Sequence, residues 1–169
     1  QFNGHQTITN YLRRINRKTA LLIQLSTEVG AITSGADAKT VHNLKMIGHY
    51  LGMSFQIVDD ILDFTSTEKK LGKPVGSDLM NGHLTLPVLF EMRKNETFKQ
   101  QIQQLNSETD HETFVKLIDQ IRNSDVIAQS QAVSDKYLNK ALHLIDELDN
   151  EDSKSLFKKL IKKVGKRNV

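Results

Sequence analysis

The run Phe55-Gln56-Ile57-Val58-Asp59-Asp60-Ile61-Leu62-Asp63-Phe64 sets three carboxylates and one amide among Phe, Ile, Val and Leu. On a helix, Asp59 and Asp63 stand one turn apart and share a face, with Gln56 one turn earlier and Gly52 a turn before that. That face lies about 100° from the neighbouring apolar stripe, so it borders the core. Clustered carboxylates beside apolar neighbours repel one another unless a cation joins them. All-oxygen donors at this spacing suit Mg2+, which takes one or two carboxylates and completes its shell with water and phosphate. A solvated helix face would account for Asp-Asp-x-x-Asp on a polar helix. Here the flanks are apolar, Asp is a poor mid-helix residue, and no Lys or Arg stands three or four residues away.

Lysines supply the opposite charge. Lys18 interrupts a second stripe between Ile15 and Leu22, where a hydrophobe is expected, and Thr19 adds a hydroxyl beside it. A snorkelling stem accounts for a single lysine of this kind. Lys69, Lys70 and Lys73 follow the aspartates in a glycine-containing segment. Carboxylates with several lysines, and no cysteine nucleophile, can hold a polyphosphate through metal bridges and ammonium groups.

Helices must position these residues. The 169 residues make one ordinary domain, and 23 Lys and Arg against 20 Asp and Glu leave a net charge of +3, too mild to argue for nucleic acid. The absence of cysteine excludes disulfides and thiolate metal sites. No apolar run approaches the roughly 20 residues of a membrane span, no signal-peptide pattern opens the chain, and a cytoplasmic protein is expected. The first residue is Gln1, so the chain is expected to begin within a longer product.

Long 3.6-residue periodicities predict an all-α fold. A first helix is expected from Thr9 or Asn10, with Asn10 as its cap, to about Ile32, with Tyr11, Ile15, Leu22, Leu25 and Val29 on its apolar stripe. A second is expected over 38–64, carrying Leu44, Ile47, Leu51, Phe55, Val58 and Leu62. Residues 65–86, with Gly72, Pro74 and Gly76, read as a long loop. Pro87 then opens a short helix, and helices follow near 97–106, 111–123, 125–149 and 152–165.

Taken together, Lys18-Thr19, Phe55-Gln56-x-x-Asp59-Asp60-x-x-Asp63, and Leu71-Gly72-Lys73-Pro74-Val75-Gly76-Ser77-Asp78-Leu79 followed by Leu84-Thr85-Leu86-Pro87 resemble the C-terminal half of a trans-isoprenyl diphosphate synthase. The Asp-rich run is similar to that family's second aspartate-rich motif. The nearest subgroup is the large catalytic subunit of bacterial hepta- or hexaprenyl diphosphate synthases. Where many family members carry Lys, this chain has His83.

The resemblance implies an isoprenoid synthase-type helical bundle, of which residues 1–169 form the C-terminal part of one domain. It implies a Mg2+-dependent condensation of isopentenyl diphosphate with an allylic diphosphate, giving a long all-trans polyprenyl diphosphate for an isoprenoid quinone such as menaquinone. Asp59, with Asp60 and Asp63 directly or through water, would hold metal. Lys18 and Lys73 would contact the diphosphate, and Thr19 and Gln56 would lie beside the developing allylic cation. The first aspartate-rich motif and the basic pocket for isopentenyl diphosphate belong to an N-terminal half that this chain lacks. The implied partners are that half and a small non-catalytic subunit, or a second copy in a homodimer.

Two other readings share some features. A class I terpene cyclase has the same fold with a different second metal motif, and a non-catalytic regulatory subunit would not need the aspartates and lysines. The tail lysines Lys158, Lys159, Lys162 and Lys163, with Lys166 and Arg167, suit a helix C-terminus and could also meet a membrane surface during product release.

Overall fold

The computed structural model describes residues 6–165, and every regular element among them is helical. These are α1 (Ile8–Ile15), a π-helical turn (Asn16–Ala20), α2 (Leu21–Thr33), α3 (Ala38–Thr65), α4 (Glu68–Leu71), α5 (Ser77–Met80), α6 (Leu86–Lys94), α7 (Glu96–Gln104), α8 (His111–Arg122), α9 (Val126–Asp146) and α10 (Glu151–Gly165). Lys166 and Arg167 lie outside the described residues.

The start of the chain differs from expectation in two ways. The cap is Thr7, whose Oγ1 accepts the Asn10 backbone N–H at 3.1 Å, so Asn10 lies inside α1. The first long helix is also broken by the π turn, in which the Leu21 N–H reaches back five residues to the Asn16 carbonyl. One extra residue in that turn rotates everything after it relative to a regular α-helix. The buried position after Ile15 is therefore Ala20, while Lys18, Leu22, Leu25 and Val29 are exposed. Lys18 is not embedded in an apolar stripe, because the stripe changes phase before reaching it.

The chain forms two compact units. In the first, the described residues up to Tyr11 join Asp59–Gln131. Phe64, Leu79, Leu84, Leu86, Phe98, Ile102 and Ile121 are fully buried there. The expected loop over 65–86 contains two single helical turns, α4 and α5, and Thr67 caps α4 by accepting the Lys70 N–H. Pro87 stands in the first turn of α6, where its missing N–H costs nothing.

The second unit comprises Leu12–Val58 and the described residues from Ala132 onward. Its core sets Ile47 and Leu51 of α3 against Leu138, Ala141 and Ile145 of α9 and the following Leu148, with Phe157, Ile161 and Val164 of α10 packed alongside. Two glycines one turn apart let α3 meet the first helical segment closely. A methyl group on Gly52 would lie 2.5 Å from the Ala20 Cα, and one on Gly48 would lie 2.9 Å from the Gln24 Cα. That approach sets the backbone of the π turn directly against α3.

From Leu51 onward α3 is buried on most sides, with Met53, Ser54, Gln56, Ile57, Val58, Asp60, Ile61, Asp63 and Phe64 all inside. The expected stripe holds at Ile47, Leu51 and Val58, but it is only part of a much wider buried surface.

Candidate functional site

The singled-out residues fall into both units. In the first unit, the aspartates of one motif occupy different environments. Asp59 is exposed. Asp60 is 4% exposed and accepts the Tyr11 hydroxyl at its Oδ2, 2.7 Å away. Asp63 is 1% exposed, and its carboxylate is held from several directions. The Ser77 hydroxyl donates to its Oδ1 at 3.0 Å, the Asp78 backbone N–H to its Oδ2 at 3.1 Å, and Lys73 Nζ approaches Oδ1 to 2.8 Å. A helix wheel places Asp59 and Asp63 on one face, yet only Asp63 is covered, because the segment after α3 folds back over it.

That segment is held by its backbone as well. The Gly76 N–H donates to the Asp63 carbonyl at 2.7 Å. Gly76 has φ +71°, a left-handed conformation that side chains disfavour, and an added Cβ would also strike Ile118. Ser77 and Asp78 then begin α5 with the Ser77 hydroxyl and the Asp78 N–H turned onto Asp63. Lys73 donates to Asp78 Oδ1 as well, at 3.1 Å. Burial opposes the Lys73 charge, but the hydrogen bonds and charges of Asp63 and Asp78 outweigh it and raise its pKa above the usual lysine value. Lys73 therefore stays an ammonium, tied to two carboxylates at the surface of the loop.

In the second unit, the Thr19 hydroxyl donates to Gln56 Oε1 at 2.7 Å. The close approach of Ala20 to Gly52 accounts for this pairing, since Thr19 precedes Ala20 and Gln56 follows Gly52 by one turn. Lys18 is exposed on the same π turn. π turns recur at functional positions because they redirect side chains without ending the helix.

Three participants escape a reading of the motifs alone. Tyr11 looks like one more stripe residue, but a buried tyrosine hydroxyl needs a partner, and that requirement is the available clue. Ser77 and Asp78 stand within the recognised loop, but nothing in their spacing shows that they turn back onto Asp63. Among the described residues, no three Asp, Glu or His side chains form a group able to enclose a metal ion. No described helix is long and apolar enough to cross a membrane.

The polyprenyl synthetase family model matches residues 1–121. The chain belongs to the polyprenyl synthetase family. It is 49% identical over 167 residues to heptaprenyl diphosphate synthase component 2 of Bacillus subtilis (strain 168), covering 99% of itself and 48% of that protein. It is 36% identical over 166 residues to a probable mitochondrial hexaprenyl pyrophosphate synthase of Neurospora crassa, covering 98% of itself and 36% of that protein. The crystal structure of heptaprenyl diphosphate synthase from Staphylococcus aureus superposes with a TM-score of 0.97 at 66% identity, over 100% of this chain and 53% of that one. A geranylgeranyl pyrophosphate synthase from Corynebacterium glutamicum, complexed with calcium and isoprenyl diphosphate, gives 0.85 at 29% identity, over 95% and 50%. The chain thus spans about half the length of these bacterial relatives. Its all-α fold is that of the isoprenyl diphosphate synthases.

Proposed function

We propose that this chain is part of a Mg2+-dependent prenyltransferase that condenses isopentenyl diphosphate with an allylic diphosphate to build a long all-trans polyprenyl diphosphate. A hepta- or hexaprenyl product is the proposed length, serving as the side-chain precursor of an isoprenoid quinone. The observation that carries the reading is the end of α3. An exposed Asp59 there adjoins two buried, hydrogen-bonded aspartates, and the second of these is tied to a lysine-bearing loop.

The residues fit the implied metal. Mg2+ needs one or two carboxylates and takes its remaining ligands from water and phosphate, so a three-carboxylate cage is unnecessary. Asp59 offers the exposed oxygens, with Asp60 and Asp63 contributing directly or through water. When bound, the ion neutralises charge on the diphosphate.

The chain's own groups do the rest. Lys18 and Lys73 place ammonium charge against the leaving diphosphate, which gains charge as the allylic C–O bond breaks. Thr19, whose proton is committed to Gln56, presents oxygen lone pairs beside the developing allylic cation. The double bond of isopentenyl diphosphate then forms the new C–C bond, a proton leaves to restore a double bond, and inorganic diphosphate departs.

The remaining half of the fold and a small non-catalytic subunit complete the proposed assembly, with a homodimer as the alternative; relatives bearing the name component 2 support the former. Leu22, Leu25, Val29 and Ile32 line an exposed face of α2 at steps of three and four, Leu22 at 69% exposure, as a helix awaiting such a neighbour would. A cytoplasmic location with peripheral membrane contact during product release belongs to the same reading.

The test is incorporation of radiolabelled isopentenyl diphosphate, with farnesyl diphosphate as primer and Mg2+ present. Residues 1–169 alone should make no polyprenyl product, and the full-length protein with its small subunit should make a long one. Robust elongation by this segment alone, or none by the complete assembly, would sink the reading.

A further inference from the structure

We infer that Tyr11 is a positioning residue for the aspartate cluster: its hydroxyl fixes the Asp60 carboxylate and, through it, the end of α3 that presents Asp59. The inference rests on the metal–diphosphate reading above and adds to it a residue outside all three recognised motifs.

Tyr11 is 0% exposed and Asp60 is 4% exposed, and 2.7 Å separates the phenol oxygen from Asp60 Oδ2. That length is ordinary for a well-formed O–H···O hydrogen bond. A carboxylate taken out of water is costly unless donors meet it, and an ionised carboxylate can only accept. The direction of the bond is therefore fixed, and with it the setting of one carboxylate oxygen. Packing alone does not call for this pair, since an apolar pair of similar volume often matches or exceeds the stability of a buried polar one. A second short buried bond makes the contrast. Ser54 and Ser134 meet at 2.7 Å in the other unit, where two neutral hydroxyls satisfy each other and no carboxylate is involved.

Groups that hydrogen-bond a metal-binding carboxylate orient it, and removing one commonly costs about 10–100-fold in metal affinity or activity. Tyr11→Phe keeps the ring and deletes only the oxygen. In the full-length assembled protein, Mn2+ binding is followed by electron paramagnetic resonance with inorganic diphosphate present. The expected result for Tyr11→Phe is binding weaker by about tenfold or more. In steady state the Mg2+ needed for half-maximal rate should rise in parallel, while the KM for isopentenyl diphosphate moves by less than about twofold.

Ser134→Ala serves as the structural comparison: it should lower the melting temperature and leave the Mn2+ titration unchanged. Asp60→Asn should cost at least as much as Tyr11→Phe, since it also removes a carboxylate of the metal site, and adding Tyr11→Phe to it should cost little more, because the hydroxyl acts only through that carboxylate. A wild-type Mn2+ titration for Tyr11→Phe, whatever its melting temperature, overturns the inference, as does one for Asp60→Asn if Tyr11→Phe fails to fold. A wild-type protein that binds no Mn2+ with diphosphate overturns the underlying reading as well, so the two failures are told apart.

Discussion

Two carboxylates of the first unit, Asp63 and Glu91, are buried to nearly the same degree and satisfied in nearly the same way. Asp63 receives a serine hydroxyl, a backbone N–H and a lysine. Glu91 on α6 receives the Ser124 hydroxyl at 2.7 Å, the Gln120 amide at 3.2 Å and Lys94 at 3.4 Å. Burial and hydrogen bonding therefore do not by themselves set Asp63, the carboxylate proposed to work, apart from Glu91, the one proposed to be structural. What surrounds them does. Beside Asp63, the same helix carries an exposed aspartate, and the donors come from a segment turned by left-handed glycines. Around Glu91, two of the donors lie at the end of α8 and just beyond it, so the cluster ties secondary-structure elements together. Lys94 pairs onward with Asp125 in the same cluster. The first arrangement suits a place where charge arrives and leaves, and the second suits a fixed joint.

Substitution should separate the two clusters. The largest effect is expected from Asp59→Ala in the full-length protein, with turnover falling on the order of 10²–10³-fold. Its melting temperature should stay within a degree or two, about the effect of an exposed substitution. A variant that melted early yet kept normal turnover would make the aspartate structural and break the contrast. Glu91→Gln should do the reverse, losing about 1–3 kcal/mol of stability in chemical denaturation while the folded protein keeps its turnover.

Acid should sharpen the Glu91 half of the comparison. Burial pushes the Glu91 pKa up, but bonds from Ser124, Gln120 and Lys94 outweigh that and leave it below the usual glutamate value. A depressed carboxyl contributes stability that is fully present above its unfolded pKa of about 4.3 and is lost as pH falls through the folded value. The stability gap between wild type and Glu91→Gln should therefore stay constant from neutral pH to about 5 and close below about 4. A gap that widened in acid would mean that the charge on Glu91 is not what the cluster holds.

Legibility in the sequence followed the range of the interactions. Helices α3, α8, α9 and α10 were readable to within a few residues, because periodicity is local. The aspartate motif was readable because polar residues interrupt an apolar run. The π turn was not, since nothing in Asn16-Arg17-Lys18-Thr19-Ala20 marks an extra residue per turn, and missing it misplaced Lys18 and the whole α2 stripe. Nor was the unequal burial of Asp59, Asp60 and Asp63, which depends on Tyr11, 49 residues away from Asp60, and on Ser77 folding back from 14 residues on. Contacts across that distance are set by tertiary packing and leave no spacing to read.

Hydrogen exchange on the full-length assembled protein, with and without Mg2+ and inorganic diphosphate, follows both carboxylate clusters in one experiment and tests the central claim most directly. Slowed exchange is expected over residues 66–82 when both ligands are present, with no change over 88–95 and 117–125, and with the slowing lost in Asp59→Ala. Exchange over 66–82 that ignores the ligands, or slowing that is as strong around Glu91, would contradict that claim.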